Sequence, residues 1–143
     1  MTMTVAKPNA IGAPGYTMEL PCVRESMSRA RALVSNVLAT WGMDDDAADC
    51  GRIIVTELLA NAVEHTQTLV SKVIIERPSN GAVRIGVSDR SHGVPHLRAA
   101  ALNAESGRGL RLVAGMSSRW GYDTHPWGKV TWAVIEASAG REQ

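Results

Sequence analysis

Three short stretches of this sequence hold residue types able to do chemistry. The first, TELLANAVEH, runs from Thr56 to His65 and sets Glu57, Asn61 and His65 four residues apart. On a helix that spacing stacks them nearly one above another. At about 100° per residue, Asn61 lies about 40° around from Glu57, Glu64 about 20° the other way, and His65 at the edge of the sector. The residues around them are apolar, so a carboxylate and an amide here need partners, because an unpaired buried polar group is costly. Either they cap a neighbouring loop or bond the sheet, or they face a ligand. An Asn oxygen suits Mg²⁺, a hard cation that takes oxygen ligands and keeps several waters. A nearby Glu can orient or deprotonate a hydroxyl or a water.

The second stretch is GVSDRSHGVP, in which Asp89 ends a β-branched run and Ser91 and Gly93 follow at steps of two. A buried Asp at a strand end is able to accept from an exocyclic amine such as adenine N6, and a small residue lets a base approach the backbone. Taken alone, Asp and Gly here also read as an ordinary turn. The third stretch, ESGRGLRLV, flanks Arg108 with glycines ahead of a helical pattern. Backbone N–H groups near Gly107, Gly109 and Leu110 can converge on an anion, and Arg108 can add a charge-assisted bond to a phosphate. The plainer alternative is a flexible helix entry. His92 and His96 stand four apart in the same region, but with no third ligand at a plausible spacing they read as loop histidines rather than a zinc pair.

These stretches need elements to hold them. YTMEL alternates and predicts a short strand closed by Pro21. In RESMSRARALVSNVLATWG, residues Met27, Ala30, Val34, Val37, Leu38 and Trp41 recur at three and four, which predicts an amphipathic helix stopped at Gly42. Arg24, Arg29 and Arg31 fall mostly off that stripe and read as a solvated face. MDDDAADCGRIIVTELLANAVEHT opens with acids suited to a helix N-terminus and is apolar on most sides, so this second helix should be largely buried. LVSKVIIERP and GAVRIGVSD, joined by SNG, predict a hairpin. A long connection over 94–109 predicts a functional loop or lid, and LRLVAGM a short helix entered through Gly107, Arg108 and Gly109. RWGYD and KVTWAVIEA predict two closing strands. This order implies a two-layer α/β sandwich, with helices on one face of a mixed, mostly antiparallel sheet. The expected division is a flexible arm at 1–15, one domain at 16–137 and a tail at 138–143.

Composition narrows the classes. At 143 residues the chain is long enough to bury a core. With 45% apolar and 20% charged residues it has the make-up of a globular domain. A net charge of +1 gives no field that points to direct nucleic-acid or membrane binding. No apolar run approaches the roughly 20 residues of a membrane span, and the first residues lack the apolar segment of a signal peptide. Cys22 and Cys50 belong to no CxxC and read as two reduced thiols of a cytoplasmic protein. Phe is absent, so the core should be aliphatic, with the four Trp as exceptions that read as core and edge packing, Trp127 in its Pro-Trp-Gly turn being able to face a partner.

Together and in this order, the three stretches resemble the GHKL ATPase superfamily (the Bergerat fold), and within it the anti-sigma-factor serine kinases and related ATP-binding regulators common in actinobacteria. The likeness runs from about Tyr16 to Glu136. ELLANAVEH stands as the N-box, DRSHG as the first glycine box, GRGLRLV as the second, and RWGY…GKVTWAVI as the last hairpin. The resemblance implies ATP and Mg²⁺ as cofactors. Asn61 would coordinate the Mg²⁺ of the triphosphate, and Glu57 would act as general base. Asp89 would recognise adenine with support from Thr131, Gly93 would line the nucleotide, and 94–109 would cover the phosphates. Ser91 stands where the superfamily usually has the first glycine of its box, which narrows the backbone approach. The implied activity is transfer of the ATP γ-phosphoryl to a Ser or Thr of an antagonist protein, sequestration of a sigma factor, or both. A non-catalytic, nucleotide-switched protein that only sequesters its partner is the alternative, and either reading allows a homodimer.

Overall fold

The computed structural model describes residues 6–9, 12–94 and 104–136, and within 104–109 the backbone alone. In chain order the elements are β1 (Lys7–Pro8), β2 (Gly15–Pro21), a 3-10 turn (Arg24–Ser26), α1 (Met27–Thr40), α2 (Asp45–His65), β3 (Val70–Ser79), β4 (Ala82–Asp89), α3 (Ala104–Met116), β5 (Arg119–His125) and β6 (Gly128–Glu136). The six strands form one sheet in the order β1-β2-β3-β4-β6-β5. Every pairing among the described residues is antiparallel, so the sheet is not mixed as expected.

Strand periodicity divides the sheet into two faces. One face presents Leu20, Val73, Ile75, Val83, Ile85, Val87, Ala133 and Ile135, all in the core with the buried faces of α1, α2 and α3. In α2, Ile54, Val55, Leu58 and Leu59 are almost fully buried. Burying an aliphatic side chain of that size contributes about 1.5–3 kcal/mol, which outweighs the weak helix propensity of the β-branched residues. Gly51 lets α2 pack closely, since a Cβ there would meet Val34 Cγ1 at 2.8 Å and Ile85 Cδ1 at 3.4 Å. The aliphatic core expected from the sequence is present, and the helices cover one face.

The outer face is different. Arg84 lies over the Trp132 ring at 4.7 Å and reaches Glu76 at 3.4 Å and Asp123 at 2.9 Å. A hollow of about 150 Å³ beneath these groups is bridged by their charges and lies away from the residues singled out above. Trp41 packs at the core's edge below Arg77, while Trp127, at the β5–β6 turn, is exposed and stacks on His125 at 4.8 Å.

Two elements differ from expectation. Lys7–Pro8, within the stretch read as a loose arm, pairs with Tyr16 and Thr17 of β2. Helix α3 starts at Ala104, so Gly107, Arg108 and Gly109 lie inside its first turns rather than ahead of it. Of the expected lid over 94–109, residues 95–103 lie outside the described residues, as does the tail from 137 onward.

Candidate functional site

Helix α2 carries the first group of candidates. Its N-cap Asp44 accepts from Ala47 N at 2.9 Å, and Asp45 and Asp46 place negative charge in the first turn, where the helix dipole favours it. At the other end a relay of hydroxyls fixes the helix to the sheet. Thr66 Oγ1 donates to Ala62 O at 2.6 Å and lies 2.7 Å from Thr68 Oγ1, which accepts from Arg90 N at 2.9 Å. The last turns of α2, with half-buried Asn61, are thereby held at the end of β4 where Asp89 stands.

The polar line along α2 divides by environment. Glu57 is half-buried and lines a groove of about 400 Å³ between α1 and α2 with Arg31, Asp49, Arg52, Ile53 and Thr56. Arg31 donates to Thr56 Oγ1 at 3.2 Å and Arg52 to Ser35 Oγ at 2.9 Å, so these arginines brace the two helices as well as lining the groove. Glu64 is exposed and pairs with Arg24 across the start of α1. His65 is exposed at the helix end, 3.9 Å from Glu64. Only Glu57 and Asn61 therefore keep the half-buried setting that chemistry asks for.

Asp89 is 2% exposed. Its Oδ1 accepts from Ser91 N at 2.8 Å, and Ser91 Oγ accepts from Gly93 N at 2.9 Å. These are two successive side-chain-to-backbone turns. Ser91, the departure from the glycine pattern, thus uses its hydroxyl to fix the position of Gly93. His92 Nε2 stands 3.2 Å from the carbonyls of His125 and Pro126, tying this loop to the β5–β6 turn. No cluster of three or more His, Cys, Asp or Glu is placed to hold a metal among the described residues.

The side chain that meets Asp89 is one the sequence reading passed over. Lys129 is the register partner of Asp89, and its Nζ donates to Asp89 Oδ1 at 3.1 Å with both side chains almost fully buried. Close approach of the two strands depends on Gly128, whose φ is +150° and whose Cβ would come 2.1 Å from Asp89 O. Thr131, two residues further along β6, is opposite Val87. Its buried Oγ1 has no partner among the described residues. Asp89 also acts on Cys22. Burial pushes the thiol up from its ordinary value, Ser71 opposes the shift, and the Asp89 charge adds to it. Only register brings Lys129 and Asp89 together, and a Lys at the start of a predicted strand gives no local signal of it.

The family model of the histidine kinase-like ATPase domain matches residues 20–135. The chain belongs to this family. No curated protein matches the sequence. The match takes in α1, α2, the β3–β4 hairpin, α3 and the last hairpin almost to its end. Membership in the histidine kinase-like ATPase family assigns the protein to the GHKL-related ATPases and implies that it binds ATP. The residues fit such a ligand: among the described residues the Thr131 hydroxyl is buried without a partner, and the bonds that Asp89 accepts from Ser91 and Lys129 both fall on Oδ1. A carboxylate has about four acceptor sites, so Asp89 keeps capacity for an exocyclic amine. Among the described residues, no helix is long and apolar enough to cross a membrane.

Proposed function

We propose that this histidine kinase-like ATPase is a cytoplasmic regulator that binds ATP with Mg²⁺ and phosphorylates a Ser or Thr of an antagonist protein of the anti-sigma-factor system. The observation that supports this most directly is the placement of Glu57 and Asn61 one turn apart on α2, with Glu57 lining a groove open to a second molecule. Asn61 would hold the metal through its amide oxygen, the phosphates and waters completing the shell, as suits Mg²⁺. Bound there, Mg²⁺ would neutralise charge on the triphosphate. Asp89 accepts from the adenine N6 amine, and Gly93, held by Ser91, lets the nucleotide lie against the backbone. Gly107, Arg108, Gly109 and Leu110 stand in the first turns of α3, and the N-terminal end of a helix favours phosphate.

Phosphoryl transfer needs mainly positioning and charge neutralisation. Glu57 takes the proton of the acceptor hydroxyl as its oxygen bonds to the γ-phosphorus. The bond from that phosphorus to the β–γ bridging oxygen breaks, and ADP leaves. A base of this kind contributes about 10²–10⁴-fold in rate. Glu57→Gln keeps the shape and removes the basicity. It should leave ATP affinity within about 2-fold while lowering transfer from [γ-³²P]ATP to the antagonist by about 10²-fold or more. Transfer at the parent rate by the variant overturns Glu57 as base. If the parent phosphorylates no protein but captures a sigma factor in a nucleotide-dependent way, the sequestering regulator is the better account.

A further inference from the structure

The register of β4 against β6 places a lysine where the proposed base pocket has its carboxylate. Lys129 Nζ is buried 3.1 Å from Asp89 Oδ1, and that is its one bond among the described residues. An ammonium has three donors and no acceptor. Leaving donor capacity unused in a buried group is costly, so the arrangement calls for an acceptor that a ligand brings. Thr131 Oγ1, on the same face of β6 two residues away, is a second buried polar atom without a partner among the described residues. Lys129 and Thr131 are thus two buried polar groups with unused capacity on the face of β6 that carries the partner of Asp89.

The Watson–Crick edge of adenine sets a donor, the N6 amine, beside an acceptor, ring N1. Asp89 and Lys129 offer the complementary pair, an acceptor beside a donor, at hydrogen-bond spacing. We propose that Lys129 is a second base-reading residue, donating to adenine N1 while Asp89 accepts from N6. A buried site that hydrogen-bonds a ligand rejects the analogue lacking that atom, because its own polar group is then left unpaired. Lys129 therefore sets selectivity for a purine with an acceptor at N1. This rests on the reading that Asp89 faces the base, and the ligands of the test separate the two claims.

Calorimetry with ATP, 1-deaza-ATP (ring N1 replaced by CH) and inorganic triphosphate, on the parent and on Lys129→Thr, decides it. The parent should bind ATP about 10- to 100-fold tighter than 1-deaza-ATP, the range for a hydrogen bond from a charged donor. Lys129→Thr should bring the two nucleotides within about 2-fold of each other and leave inorganic triphosphate unchanged. The parent measurement needs no variant, so a Lys129→Thr chain that fails to fold does not remove the test. A parent that prefers ATP to triphosphate yet binds 1-deaza-ATP equally well overturns Lys129 alone. So does a folded Lys129→Thr that keeps the parent's gap. A parent that binds ATP no better than inorganic triphosphate overturns base reading by Asp89, and Lys129 with it.

Discussion

Asn61 and Glu57 are neighbours on α2, yet different measurements report on them. On the proposed reading Asn61 would act through the metal, so Asn61→Ala should weaken ATP by roughly 10-fold or more with Mg²⁺ present and leave binding in EDTA unchanged, the loss expected for a bond to a charged partner. Equal ATP affinity for variant and parent in Mg²⁺ removes Asn61 from the metal site. Cys22 gives a second residue-scale handle. Its folded-state pKa is raised by burial first and by Asp89 in addition. The unfolded chain therefore releases the thiol proton at lower pH than the folded one. The thiol's contribution to stability is complete below its ordinary range, and it is lost as pH rises through the raised one. Between about pH 8 and 10, around the ordinary thiol pKa, the melting midpoint should fall more for the parent than for Cys22→Ala. Equal slopes remove the linkage. At this scale the sequence marked Glu57, Asn61 and Asp89 as candidates because helix spacing and a strand end are local signals, and the structure leaves the first two half-buried and the third buried. The sequence did not disclose the partner of Asp89, because a one-residue slip in register turns every side chain to the other face.

Elements were legible where local and tertiary preferences agree. The run of acids before an apolar stretch gave α2, and the Asn80–Gly81 turn, with Gly81 at φ +81°, gave the β3–β4 hairpin. The start of α3 was missed because Gly107 and Gly109 read as breakers, each costing about 1 kcal/mol in a helix interior. Burial of Leu110 and Val113 in the core offsets that cost. β1 was missed because two residues carry no period; what orders them is pairing with β2 and the bond from Thr17 Oγ1 to Asn9 Oδ1 at 2.7 Å. Since α2 bears both Glu57 and Asn61, its cap has consequences for the whole site. Asp44→Ala removes the acceptor for Ala47 N and should cost about 1 kcal/mol in urea unfolding. A change below about 0.3 kcal/mol would show that Asp45 and Asp46 take over the cap, since replacing a capping residue by Ala ordinarily costs at least about 0.5 kcal/mol.

For the whole molecule, α2 is the joint between layers: it packs on α1 and α3, lies over the centre of the sheet and is tied to the end of β4 through Thr66 and Thr68. A nucleotide that engages both Asn61 and Asp89 spans this joint, contacting the helix layer through the metal and the sheet through the base. Anything that binds only the folded state stabilises it by mass action, by about 2.7 kcal/mol when free ligand is 100 times Kd. For a domain of this size that corresponds to a rise of roughly 10 °C in Tm. Mg²⁺–ATP should give a rise of that order, and ATP in EDTA a smaller one at the same concentration. In Asp89→Asn the carboxylate proposed to accept from the base is replaced by an amide, while Asn61 and the α3 end are untouched. Its thermal shift with Mg²⁺–ATP should therefore fall toward the shift given by Mg²⁺ and inorganic triphosphate. If the variant keeps the parent's full ATP shift, the base does not dock at the end of β4, and the nucleotide is held by its phosphates alone.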